Sequence, residues 1–170
     1  SLANLAKILV DVENFDKAEQ LLSEAISRLS ALVGEENRFQ LQLNGQMGEL
    51  LIAMGRLSEA EKYLEKSLDT SERVYGRGHP TTVELIGLTG ELRRAQANYD
   101  EAEMLLLECF NVNATTRSMG HEKTRDAIEE VVVLYETMGN TEEAQKYRAK
   151  LPEPATSPEP EEVVVDAEEQ

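Results

Sequence analysis

Apolar residues return along the first 150 positions at spacings of three and four, the period of a helix with one buried face. One stripe is Ala18, Leu21, Leu22, Ala25, Ile26 and Leu29; a second is Ala60, Tyr63, Leu64, Ser67 and Leu68; a third is Ala102, Leu105, Leu106, Cys109 and Phe110. Another series alternates with these: Leu2, Leu5 and Leu9, then Met47, Leu50 and Leu51, then Leu85, Leu88 and Leu92, then Ile128, Val131 and Leu134. The pattern predicts pairs of amphipathic helices, and hence an all-α chain.

The second helix of each pair opens on near-copies of one phrase: "NFDKAEQLL" (14–22), "GRLSEAEKYL" (55–64), "NYDEAEMLL" (98–106) and "NTEEAQKYR" (140–148). Ala18, Ala60, Ala102 and Ala144 follow one another at intervals of 42. Asp16, Ser58 and Asp100 precede Glu19, Glu61 and Glu103 by three residues, the spacing of a capping box, with Phe15, Leu57 and Tyr99 placed as hydrophobic staples. Gly55 and Gly139 stand where a C′ glycine ends the preceding helix. Ala6, Gly48 and Gly90 share one position, where a small residue lets the partner helix approach; Val132 breaks the series. Connectors "GEEN" (34–37), "GRGHP" (76–80) and "SMGHE" (118–122) divide residues 1–150 into units of about 1–36, 37–78, 79–120 and 121–150. Such hairpins cover their apolar flanks only by stacking on one another, which predicts an α-solenoid.

These residues resemble the tetratricopeptide repeat, through the pairs Ala6/Ala18, Gly48/Ala60 and Gly90/Ala102. The interval of 42, the "LANLA" opening (2–6) and the G-x-x-H-P connector are similar to the subtype found in kinesin light chains. The resemblance implies a right-handed superhelix of about four hairpins. It also implies that the first helix of each unit lines a concave groove. On that reading the partner-binding candidates are Asn4, Lys7 and Asp11 in the first unit, with Gln42, Gln46 and Glu49 in the second. They continue as Glu84, Leu88, Glu91 and Arg94 in the third and Asp126 and Glu130 in the fourth. Light-chain repeats often carry asparagine where Asn4 stands; Gln46, Leu88 and Glu130 replace it later in the chain.

Charge sharpens the expected partner. The chain holds 33 acidic and 17 basic residues, a formal charge of −16, which argues against nucleic acid or an anionic membrane surface. A groove bearing Glu49, Glu84, Glu91, Asp126 and Glu130 against Lys7 and Arg94 should prefer a basic or neutral protein or peptide, with Leu88 and Ile52 as apolar anchors. The stretch 151–170 carries seven acids, no bases and four of the five prolines, and reads as a disordered acidic tail. Its "VVVDAEE" (163–169) is the one piece that could add as a strand to a partner. The start "SLANLAKILV" begins in mid-pattern without methionine or signal-peptide features, as expected of a piece of a longer protein.

No catalytic chemistry is legible. His79 and His121 fall at equivalent connector positions without a second ligand at metal spacing, which fits capping of the next helix better than metal binding. Lone Cys109 shares the small inward position of Ala25 and Ser67, suits packing, and makes no internal disulfide, so the cytoplasm is the default compartment. Gly45 and Gly87 leave two readings open, close packing or room for a ligand. No cofactor is expected. The sequence therefore points to a non-catalytic interaction scaffold. The alternative is the C-terminal regulatory region of a larger signalling enzyme, such as a bacterial serine/threonine kinase or a nucleotide-switch regulator.

Overall fold

The computed structural model describes residues 14–152. Within them lie seven helices: α1 (Phe15–Val33), α2 (Arg38–Ala53), α3 (Leu57–Tyr75), α4 (Pro80–Ala95), α5 (Tyr99–Thr116), α6 (Glu122–Thr137) and α7 (Thr141–Arg148). Each packs on the next, α2 also lies against α4, and α4 against α6, the arrangement of an all-α solenoid. The predicted first helix at Leu2, Leu5 and Leu9 falls outside the described residues, as does the acidic tail beyond 152.

The equivalent small residues set the spacing of the hairpins. A Cβ added at Gly48 would lie 2.6 Å from Cγ and Cδ2 of Leu64, and one at Gly90 would lie 2.8 Å from the same atoms of Leu106. Leu64 and Leu106 are almost wholly buried, as are Ala60 and Ala102, so there is little slack for them to move into. In the last hairpin Val132 fills the glycine position, and the leucine column ends in Arg148, which turns outward to Glu136. Tyr147 closes this end instead, stacked on Tyr135 at 5.7 Å and edge-on to Phe110 at 5.7 Å.

Helix starts divide into two types. At α2, α4 and α6 the equivalent residues Asn37, His79 and His121 cap through the side chain, accepting from Phe39 N–H at 2.9 Å, Thr81 N–H at 3.2 Å and Lys123 N–H at 3.2 Å. The histidines are therefore caps, with His79 also stacked on Tyr75. At α1, α3 and α5 the expected capping boxes do not form. These helices start at Phe15, Leu57 and Tyr99, two residues before the point that a capping box requires, and Asn14, Arg56 and Asn98 occupy the N-cap without a side-chain cap.

Freed from capping, the recurrent glutamates tie successive hairpins together. Glu61 binds Arg93 and Glu103 accepts from Tyr135 Oη at 2.6 Å, the two pairs being equivalent by the repeat. At the same point Glu19 would meet Leu51, which has nothing to offer a carboxylate, and it turns to Arg56 at 2.7 Å.

The turns at the ends of α2, α4 and α6 close with a Schellman-type bond: Arg56 N–H to Leu51 O, Asn98 N–H to Arg93 O and Asn140 N–H to Tyr135 O. Gly55 and Gly139 take φ of 73° there, whereas Ala97 is forced to φ 60°. Alanine in this region costs about 1–2 kcal/mol, partly offset by its smaller loss of chain entropy. Ala97→Gly should accordingly raise stability by about 0.5–1 kcal/mol in urea denaturation. Gly48→Ala should do the reverse by about 1–2 kcal/mol, overpacking outweighing the gain in helix propensity. In a Leu64→Ala background that penalty should shrink, which a double-mutant cycle by the same denaturation would read.

Candidate functional site

The side-by-side packing of α2, α4 and α6 leaves a groove of ≈ 770 Å³ along the array. Gln42, Gln46, Glu49, Glu84, Leu88, Glu91, Asp126 and Glu130 all border it. Arg94 joins the same face through its contact with Glu130 at 3.2 Å. Asn4, Lys7 and Asp11 lie outside the described residues.

Apolar contacts shape the floor. Gly45 and Gly87 are both buried, and both resolve towards close packing. A Cβ at Gly45 would sit 3.2 Å from side chains of Leu85 and Leu88 on α4; one at Gly87 would sit 3.0 Å from Sγ of Cys109. Leu88 is thus partly absorbed into the core while one side still borders the groove. Cys109 is buried, and burial followed by the charge of Glu91 pushes its thiol up to about 12, which makes it a packing residue and not a nucleophile.

Electrostatics distinguish this surface from an ordinary solvated face. Burial raises the pKa of Glu49, and Glu84 and Glu130 add to it against the pull of Lys123. Glu91 is held well above the ordinary carboxylate range, by burial first, then by Glu130 and Glu49, with Arg94 opposing and Asp126 reinforcing. Asp126, exposed at the lip, is also raised by loss of water around its carboxyl. Burial disfavours the charge of Lys123, but Glu84, 3.0 Å away, outweighs it and the pKa rises.

Lys123 is the groove residue that the sequence reading passed over. It sits three positions before Asp126 and seven before Glu130, so extending that helical face by one turn would have found it. Asn113 and Arg117 of α5 also border the groove, and α5 was read only as a stacking helix. Periodicity along a single helix carries no signal for a wall contributed by another. Among the described residues no group of three or more His, Cys, Asp or Glu is placed to hold a metal ion, and no helix is long and apolar enough to cross a membrane.

Comparison with known proteins decides the family. Residues 39–115 and residues 1–38 each match a family model described as tetratricopeptide repeat. The chain belongs to the tetratricopeptide repeat family. Among solved structures, this tetratricopeptide array is similar to the nearly identical TPR-like repeats of a candidate kinesin light chain from Podosopora anserina, at TM-score 0.71 and 19% identity. That match covers 87% of this chain and 70% of the other, and a single-residue variant of the same protein gives the same values. It is also similar to BtubC (BKLC) from P. vanneervenii, at TM-score 0.64 and 17% identity, over 90% of this chain and 65% of that one. At these identities the likeness is one of fold, a kinesin-light-chain-like stacking of hairpins. No curated protein matches the sequence. The repeat type makes the tetratricopeptide array a protein-interaction scaffold, and the comparisons do not favour a regulatory region of a signalling enzyme.

The raised carboxylates give the tetratricopeptide array a defined pH response. Because the folded state holds a proton on Glu91 more tightly than the unfolded chain does, this residue's contribution to stability is greatest at low pH. It falls as pH rises from about 4.5 through the raised value. Glu91→Gln should melt higher than the parent at pH 7, and the gap should close as pH is lowered towards 4.5 in a series of thermal melts.

Proposed function

We propose that the array is a non-catalytic scaffold that binds an extended basic or neutral segment of a protein partner along the groove of α2, α4 and α6. The observation that carries this reading is the crowding of Glu49, Glu91 and Glu130 in a half-buried trough, where burial raises the pKa of Glu49 and Glu91, with Glu84 and Glu130 adding at the first and Glu130 and Glu49 at the second. Like charges held together with reduced hydration form a surface whose energy falls when a cation arrives. A lysine or arginine side chain over Glu91 would offset the negative charge that Glu130 and Glu49 place beside it. Leu88, Ile52 and Val83 border the same groove and offer apolar seats between the charges.

The same charge distribution disfavours acidic peptides, nucleic acid and anionic membrane surfaces as occupants of this face. Arg94 and Lys123 do not reverse the balance, because each is engaged by a groove carboxylate, Arg94 by Glu130 and Lys123 by Glu84. Steering by an acidic trough would also make association fall with ionic strength.

Fluorescence anisotropy with a labelled decapeptide alternating arginine and leucine, against its counterpart with glutamate for arginine, tests the reading. The basic peptide should bind and the acidic one should not. Glu49→Lys combined with Glu91→Lys should weaken the basic peptide by about tenfold or more, equivalent to about 1.4 kcal/mol. Equal affinity of the two peptides, or an unaltered affinity in the double variant, would place the binding surface elsewhere.

A further inference from the structure

A second concavity lies away from the groove, between α1 and α3 with α2 as its floor, and encloses ≈ 370 Å³. Its walls include Ile26, Leu41 and Tyr63, yet two of its lining residues are polar and almost completely buried: Gln40 at 2% exposure and Ser67 at 1%. Neither Gln40 Oε1 nor Ser67 Oγ has a hydrogen-bond partner in the protein. A buried polar atom in that state destabilises the fold. Two of them in one pocket is an arrangement that a bound group would relieve.

The repeat explains how the first of these atoms lost its partner. The positions equivalent to Gln40 are Thr82 and Thr124, and each is paired with the residue eleven places earlier: Thr82 Oγ1 lies 2.7 Å from Ser71 Oγ, and Thr124 Oγ1 donates to Asn113 O at 3.4 Å. Eleven places before Gln40 stands Leu29, whose side chain has no donor and whose backbone carbonyl can only accept, so Gln40 Oε1 goes unmet while Gln40 Nε2 donates to Asn44 Oδ1 at 3.4 Å. The second atom follows the same logic, since the positions equivalent to Ser67 are Ala25 and Cys109. A polar residue has therefore lost its partner at one point of the repeat and a hydroxyl has been added at another, and the two meet in this pocket.

The chemistry of the two atoms selects the ligand. A carboxylate or phosphate brings only acceptors and would face the carbonyl oxygen of Gln40. An ammonium would satisfy that oxygen but would bring a third cation to a pocket bordered by Lys62 and Lys66, where the single lining carboxylate, Glu35, is already paired with Lys66 at 2.7 Å. A neutral group with a donor beside an acceptor fits both atoms. We propose that this pocket is a binding site for a primary carboxamide, whose N–H donates to Gln40 Oε1 and whose carbonyl accepts from Ser67 Oγ. The carboxamide comes either from an asparagine or glutamine side chain of a protein partner or from a free small amide. The site is independent of the proposed groove, because it opens between different helices and neither Gln40 nor Ser67 borders the groove.

The test uses the full chain labelled with 15N and titrated with acetamide, followed by two-dimensional NMR. A parallel titration with N,N-dimethylacetamide keeps the carbonyl and removes the N–H. Saturable shifts of the Gln40 side-chain amide and the Ser67 backbone amide with acetamide alone are the expected result. Gln40→Leu should abolish the Ser67 shift while leaving the unfolding midpoint at or above that of the parent, which separates loss of the site from loss of the fold. Leu29→Asn, which offers Gln40 an internal partner, should weaken acetamide by about tenfold. Repeating the titration with acetyl-Ala-Gln-Ala-N-methylamide and with benzamide assigns the source: tighter saturation by the peptide indicates a partner side chain, and by benzamide a free amide. Linear, equal shifts with acetamide and its dimethyl analogue would overturn the proposal and leave the pocket to water. Shifts that survive Gln40→Leu would overturn it as well.

Discussion

The distance between paired helices is the constraint on which the rest of the array depends. Gly48 against Leu64 and Gly90 against Leu106 bring the two helices of a hairpin so close that a methyl group would collide with a buried leucine. That approach allows α2 and α4 to lie side by side as well as against their own partners, so each is buried on several flanks and both core clusters run across hairpin boundaries. The groove follows from the same packing, because Gly45 lets α4 seat Leu85 and Leu88 against α2, and Gly87 does likewise for Cys109. Shape along the groove is thus set by absent side chains as much as by those present.

A stack of this kind gives the protein two separate uses for charge. Between hairpins, glutamates meet arginine or tyrosine. Arg93 alone contacts Glu61, Glu65 and Glu101 while exposing only 12% of its side chain, a geometry in which an ion pair resists screening better than on an open surface. Along the groove carboxylates again outnumber the cations, but there they act on one another. Glu91 has Glu130, Glu49 and Asp126 against one arginine, so the fold carries an electrostatic cost at that face which it avoids between hairpins. A protein tolerates such a cost where a partner removes it, since binding energy then includes the relief.

Much of the fold was readable because its signals are local. A 42-residue interval, apolar spacing of three and four, and glycines at helix ends all act within a hairpin or between neighbours, and the helices stand where those signals put them. The capping boxes failed for an instructive reason. The spacing of Asp16, Ser58 and Asp100 to their glutamates is present, but Glu19, Glu61 and Glu103 find partners in the following hairpin, and no local pattern reports those contacts. The groove was legible on α2, α4 and α6, where one helical face suffices. Asn113 and Arg117 were not legible as groove residues, because their place on its wall depends on how α5 leans over α4 and α6.

Departures from the repeat carry information that the repeat itself cannot. Val132 with Arg148 withdraws the close contact at the last described hairpin and lets Tyr147 close it, which suits an end more than a middle. Ala97 sits in a conformation that Gly55 and Gly139 adopt without strain, a departure that weakens the chain and touches no ligand surface. Leu29 with Gln40, and Ser67 in a column otherwise holding Ala25 and Cys109, depart in a third way: they strand two buried hydrogen-bonding groups, one at a position that the other hairpins satisfy and one at a position where they carry no hydroxyl. The first kind is explained by position in the stack and the second by drift near a stability threshold. The third has neither explanation, since two unsatisfied atoms arise independently and converge on one pocket, and that convergence is the physical reason to look for a ligand there.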